Sequence, residues 1–256
     1  MTSSDTIFIP GAWTRASAFD NVRGALEAGG HPTDIIDLPA RASRLAQLDR
    51  GGLTAVDAAL DKRIDRSPRP PVLIGHSLGG LMALRAAQRH DLRALVLLMP
   101  APPSGMLAPL LTGALRRPLN GLHMLGAAFS VTLGGRLGFG APEGLYSDRA
   151  TAEDKARGAT YRTDESWLVL AALAVGSRKP VSALGIPTLL IAGAQDGFTP
   201  PHVVRSLAAA LDAEFAEFDV AHAFNEEPTY ELVTDAVRAF LDRNTVKPQP
   251  AAASAA

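Results

Sequence analysis

The chain contains no cysteine, which excludes disulfides, thiolate zinc sites and cysteine nucleophiles at once. Long apolar runs are missing as well. The longest, Trp167 to Val175, has nine residues, well short of the roughly 20 that a membrane-spanning helix requires, so no span is expected. An excess of either charge is also absent: 25 Lys and Arg stand against 26 Asp and Glu, scattered along the chain, for a net charge of −1. Binding phosphate backbones takes a concentrated basic face, and nucleic acid is therefore not an expected partner. The opening Met-Thr-Ser-Ser-Asp carries no basic stretch followed by an apolar one, as a secretory signal would. A cytoplasmic location is the expectation.

What the sequence does have is the material for a core. Of 256 residues, 47% are hydrophobic, enough for one large domain. Short apolar runs alternate with longer amphipathic stretches, the pattern of an α/β fold with helices around a mostly parallel sheet. Strands are predicted over Thr6 to Ile9, Thr33 to Asp37, Val72 to Ile74, Ala94 to Met99, Pro187 to Ala192 and Glu214 to Val220. Helices are predicted over Ser17 to Ala28, Leu53 to Ile64, Leu78 to Arg89, Pro201 to Leu211 and Thr229 to Arg243. Between the fourth and fifth strands the rhythm lapses. From Ala94 to Pro142 the only charged residues are Arg116, Arg117 and Arg136. The chain thus divides into a core of residues 1–103 and 182–243, a mostly helical insertion over 104–181, and a tail over 244–256 that is expected to be disordered.

Gly75-His76-Ser77-Leu78-Gly79-Gly80 fits Gly-x-Ser-x-Gly, directly after a buried strand and directly before a helix. In that setting the motif is a nucleophile elbow, a sharp turn that needs small residues at 75 and 79. Ser77 would sit at the helix N-terminus, where the dipole favours developing negative charge. The same residues also fit a helix-capping serine in a glycine-rich turn. A serine hydroxyl needs a base, and of six histidines His222 follows the last strand, at the sheet edge where ligands meet open α/β sheets. His76, inside the elbow, is expected to point into packing or toward backbone, and His31, His90, His123 and His202 to be structural or solvent-exposed. Asp196, after the strand ending at Ala192, is placed to accept a hydrogen bond from the imidazole, although an ordinary Asp-Gly turn would look the same. The other position for an acid, after the fourth strand, reads Met99-Pro-Ala-Pro and holds no carboxylate.

From Ile7 to about Leu241 the sequence resembles the α/β-hydrolase superfamily, with the order Ser77, Asp196, His222 and an insertion where that family carries its cap. The resemblance implies about six parallel strands, without the N-terminal hairpin of larger members. The family's oxyanion loop reads His-Gly-x after the first strand; here the stretch is Ile9-Pro10-Gly11-Ala12-Trp13, with proline in place of the histidine. Carried over by position, the backbone N–H groups of Ala12 and Leu78 form the oxyanion hole, and Trp13 is a candidate for the pocket wall. Tyr146, Tyr161 and Trp167 are further candidate pocket aromatics. The apolar insertion suggests a small hydrophobic substrate. No cofactor and no metal are implied. A serine hydrolase acting on a carboxylic ester or thioester through an acyl-enzyme is the first reading. Carbon-carbon cleavage or non-hydrolytic chemistry (a lyase, cyclase or cofactor-free oxygenase) on the same triad is the second. A small-molecule receptor is the third.

Overall fold

The computed structural model describes residues 5–37, 52–106, 141–163, 165–176 and 181–245. Six strands form one parallel sheet: β1 (Thr6–Ile9), β2 (Thr33–Ile35), β3 (Val72–His76), β4 (Ala94–Leu98), β5 (Thr188–Gly193) and β6 (Glu214–Phe218), in the order β2-β1-β3-β4-β5-β6. β3, β4 and β5 are buried at every residue. Their near-unbroken Val, Leu, Ile and Ala content is what a strand covered on both faces requires. β6 closes one edge and has no fully buried residue, with Glu214 and Glu217 exposed and the other three half-buried. Its Glu214 and Glu217 are paired with Arg243 and Arg205 at 2.8 Å, charges that blunt an open edge against further strand pairing.

Among the described residues seven helices flank the sheet: α1 (Asp20–Ala28), α2 (Leu53–Ile64), α3 (Leu78–Ala87), α4 (Ala152–Thr160), α5 (Trp167–Val175), α6 (Pro201–Leu211) and α7 (Tyr230–Asn244). The two-residue period of the strands sorts the core into two layers. Ile7, Ile9, Leu73, Leu95, Leu97 and Leu190 face α2, α3 and α6, and Val169 of α5 joins them. Phe8, Ile74, Val96, Leu98 and Ile191 face α1 and α7. Burying one such side chain contributes about 1.5–3 kcal/mol.

Several boundaries differ from expectation. A 3-10 turn over Ala16–Phe19 precedes α1, because Arg15 is held in extended backbone by Tyr161. β2 stops at Ile35 rather than Asp37, while β3 runs on to His76 because β4 pairs with it that far. α3 ends at Ala87 and β6 at Phe218. α7 reaches Asn244, and Thr245 remains tied to it through Leu241 at 2.8 Å; the rest of the expected tail lies outside the described residues. So does half of the expected insertion, including Arg116, Arg117, His123 and Arg136. No described helix is long and apolar enough to cross a membrane.

Candidate active site

β1 lies between β2 and β3, so the direction of chain progress reverses there. Crevices for ligands open at the carboxyl ends of strands around such a point. The turn after β3 is the tightest of them. Ser77 has φ 53°, a left-handed conformation that costs a non-glycine residue on the order of 1–3 kcal/mol. The surroundings enforce it. Ser77 N donates to the Leu98 carbonyl at 3.0 Å, and the Ser77 carbonyl accepts from Gly80 N and Ala101 N at 2.9 Å. A Cβ on Gly75 would overlap the Gly79 carbonyl, and one on Gly79 would overlap the carbonyl of Ile9. Glycine at both positions is therefore what lets α3 start against β1. The Ser77 side chain makes no capping bond, which removes the helix-cap reading.

The Ser77 hydroxyl instead meets His222. Oγ and Nε2 are 2.9 Å apart, and Nδ1 of the same ring is 2.8 Å from Asp196 Oδ2. Nδ1 donates to that carboxylate, which leaves Nε2 as the acceptor for the serine proton. Residues 145 and 26 positions apart along the chain thus form one hydrogen-bonded line. Asp196 closes a turn that begins at Gly193, with its N–H on the Gly193 carbonyl. Its carboxylate is fully engaged as well. Oδ1 accepts from Phe198 N at 2.7 Å and Thr199 N at 2.9 Å, and Oδ2 accepts from the Thr199 hydroxyl at 2.7 Å. Thr199 was not visible as a site residue in the sequence; a hydroxyl three residues after an aspartate is the signal that would have found it.

His76 points toward backbone, as expected. Its Nε2–H donates to the His222 carbonyl at 2.9 Å, while Nδ1 is buried without a hydrogen-bond partner among the described residues. Burial holds its pKa well below the ordinary histidine range; the nearby His222 and Arg162 push the same way, and the bond to the carbonyl offsets them only in part. Buried His31 and half-buried His90 are bonded to Asp242 and Asp61, and His202 lies in the first turn of α6. None of these three lies at the triad.

A cleft opens over Ser77. Gly11, Ala12, Trp13 and Thr14 form one rim, and Ala101, Met106, Leu145, Leu173 and Phe198 supply an apolar lining. The Phe198 ring stands 4.9 Å from the His222 ring. Ala12 and Trp13 thus both line the cleft over Ser77. Leu78 is the first residue of α3, and an N–H at that position has no helix carbonyl to bond. Two expected pocket aromatics are elsewhere. Tyr161 packs into the core layer of Phe8 and Ile74, because Arg15 and Tyr161 are joined through their backbone. Tyr146 is turned onto a charged pair that the sequence did not reveal. The Trp167 side chain lies outside the described residues.

That pair is Arg162 and Glu226, bonded twice at 2.7 Å, with the Tyr146 hydroxyl donating to Glu226 at 2.6 Å and accepting from Arg162 at 3.0 Å. Glu226 is 2% exposed. Burial pushes the Tyr146 phenol up and Glu226 adds to this, against the opposing pull of Arg162. Burial likewise works against the Arg162 charge, but Glu226 outweighs it and the guanidinium is held above its usual value. Arg162, Glu226 and Asn225 add polar groups to the cleft beside Ser77 and His222. Among the described residues no cluster of His, Asp and Glu could hold a metal ion.

Solved structures of similar shape carry several activities in their names, hydrolases and a bromoperoxidase among them. A monoacylglycerol lipase from Paleococcus ferrophilus aligns over 94% of each chain at TM-score 0.67 and 19% identity. An enol-lactonase from Burkholderia xenovorans LB400 aligns over 92% of this chain and 90% of its own, at TM-score 0.68 and 18% identity. A pyrethroid hydrolase from Sphingobium faniae JZ-2 aligns over 93% and 96%, at TM-score 0.62 and 19% identity. At these identities the likeness is one of fold. No curated protein sequence matches the chain. Residues 6–236 match the model of the alpha/beta hydrolase family, and with the six-stranded parallel sheet they show that the chain belongs to that family.

Proposed function

We propose that the protein is a serine hydrolase that cleaves a carboxylic ester or thioester with an apolar portion. The observation that carries this reading is the continuous line from Ser77 Oγ through His222 to Asp196, with spacings of 2.9 and 2.8 Å. Ser77 attacks the carbonyl as Nε2 of His222 takes its proton. Asp196 keeps the imidazole in the required tautomer and stabilises the cation that forms. The oxyanion is held by the N–H groups of Ala12 and Leu78, each worth about 3 kcal/mol in the transition state. His222 then returns the proton to the leaving alcohol or thiol. Water, activated by the same imidazole, releases the acyl group. The apolar lining of Met106, Leu145, Leu173 and Phe198 suits an apolar acyl or alcohol part, because such pockets gain affinity by burying hydrocarbon. The names of the structural neighbours, a lipase and a lactonase among them, agree with ester chemistry.

Turnover of short p-nitrophenyl esters is the expected activity, with apolar acyl chains preferred over charged ones. Ser77→Ala abolishes it. A fluorophosphonate probe adds one phosphonyl mass to the wild-type chain and none to Ser77→Ala. Asp196→Asn retains the geometry and lowers kcat by about 10⁴-fold, because the amide supports the wrong imidazole tautomer. Folded wild-type protein that gives neither adduct nor turnover would refute the hydrolase reading.

A further inference from the structure

The stretch after α4 lies beside the loop that carries Ala12. Thr14 and Arg162 form an antiparallel bridge. Around it, Arg15 N donates to the Tyr161 carbonyl and Thr163 N to the Trp13 carbonyl, both at 2.9 Å. Trp13 sits at φ 56°, a conformation that bulky residues adopt only when their surroundings over-determine it. Two further contacts do so. The peptide between Ala12 and Trp13 is held at both ends: its N–H donates to Glu165 Oε2 at 3.3 Å, and its carbonyl accepts from the Thr14 hydroxyl at 3.1 Å.

Glu165 is 1% exposed, and its second oxygen accepts from Ser166 N at 3.1 Å. Removing a carboxylate from water is expensive unless its oxygens are hydrogen-bonded, and here each faces a backbone N–H. Only a side chain with two acceptors fits that arrangement. Pro10, in the position where the family has histidine, brings no side-chain donor or acceptor to the loop. Bracing comes from the opposite side.

We infer that Glu165 is a positioning residue, which holds the Ala12–Trp13 peptide and so, by fixing the Ala12 Cα that the two peptides share, restrains the preceding Gly11–Ala12 peptide, whose N–H is the one turned to the reacting carbonyl. The inference rests on the serine-hydrolase reading for its consequence in catalysis, but the tether itself is a property of the folded chain. Glutamine at 165 would turn its NH₂ toward one of the two N–H donors. One hydrogen bond is then replaced by two opposed donors, and the peptide rotates. Because the oxyanion contact strengthens in the transition state, the loss falls on kcat.

The test compares full-length wild-type protein with Glu165→Gln. With a p-nitrophenyl ester, kcat falls by about 10- to 100-fold, less than or equal to the loss from deleting an oxyanion donor, while KM stays within about threefold. An alkylboronic acid, which adds to the serine as a tetrahedral anion, weakens in parallel with kcat/KM. A non-hydrolysable amide analogue of the substrate, which mimics the ground state, keeps its affinity. Unchanged kcat, or equal weakening of boronate and amide, overturns the inference. Should Glu165→Gln fail to fold, amide exchange in the wild-type protein decides: the Trp13 N–H is protected, and exchange as fast as in open loops overturns the inference. That measurement needs no turnover. A wild-type chain without esterase activity would sink the hydrolase reading and leave the tether separately tested.

Discussion

The two walls of the cleft are built by different physics. On the sheet side, every residue of α3 except Arg85 and Ala87 is buried, and the elbow is held by backbone bonds and by contact with β1 and β4. Interiors of this kind are packed to crystal density. On the opposite side, the stretches 142–147, 157–163, 165–166 and 222–227 are held by polar groups. Arg162, Tyr146 and Glu226 form a closed set, Arg157 donates to the Glu226 carbonyl at 2.9 Å, and Glu227 accepts from the backbone and side chain of Ser147. One wall admits no added volume. The other admits no uncompensated charge.

The largest effect should come from breaking the first rule. Gly79→Val places carbon atoms on the Ile9 carbonyl, which neither element can yield without separating α3 from β1. Backbone overlap of this kind belongs to the exceptional class above about 4 kcal/mol, so little folded protein is expected. Urea unfolding of whatever is soluble checks it. A variant as stable as wild type would mean that the elbow has room that the packing denies.

Next comes the second rule. Arg162→Met removes the cation and leaves Glu226 buried and uncompensated, at a cost of about 3–5 kcal/mol. Combining it with Glu226→Gln, which still accepts from Tyr146 through its carbonyl, restores most of that loss. The measure is a double-mutant cycle of unfolding free energies. Additive effects would show that the pair is not coupled and that this wall, too, is held by packing.

The same contrast explains what could be read in the sequence. Packing leaves a local trace: apolar runs such as Ala94–Leu98, glycines at 75 and 79, and a serine between strand and helix mark the sheet, the elbow and the order of Ser77, Asp196 and His222 within a few residues. The polar wall leaves none. Glu226 lies 64 positions from Arg162 and 80 from Tyr146, and nothing near any of them announces a partner. Tyr161 was misread for a related reason. Its ring follows a backbone link between Arg15 and Tyr161 that periodicity does not encode. Thr199 leaves only the local trace of a hydroxyl three residues after an aspartate, whereas Glu165 reaches Trp13 N across 152 positions, beyond the reach of pattern alone.

His76 lies under both walls and gives the smallest and sharpest test. It is 4% exposed, between Phe19 and Phe224, and it holds the His222 loop through one hydrogen bond to a carbonyl. Burial first, and the neighbouring His222 second, hold its folded-state pKa well below the ordinary 6.5. Well above that ordinary value both the folded and unfolded forms are neutral at this site, and its contribution to stability is constant. As pH falls through about 6.5, the unfolded chain takes up a proton that the folded chain refuses, so stability is lost, by up to about 1.4 kcal/mol per pH unit. His76→Gln keeps a donor for the His222 carbonyl but does not titrate. Urea unfolding between about pH 7 and pH 5.5 should therefore show a steeper fall for wild type than for His76→Gln, the difference in slope growing from about 0.2 proton at pH 7 to about 0.9 proton at pH 5.5. Parallel slopes would mean that the folded protein accepts a charge at position 76. The floor of the site would then belong with the charge-built wall, and packing alone would no longer account for how the His222 loop is held.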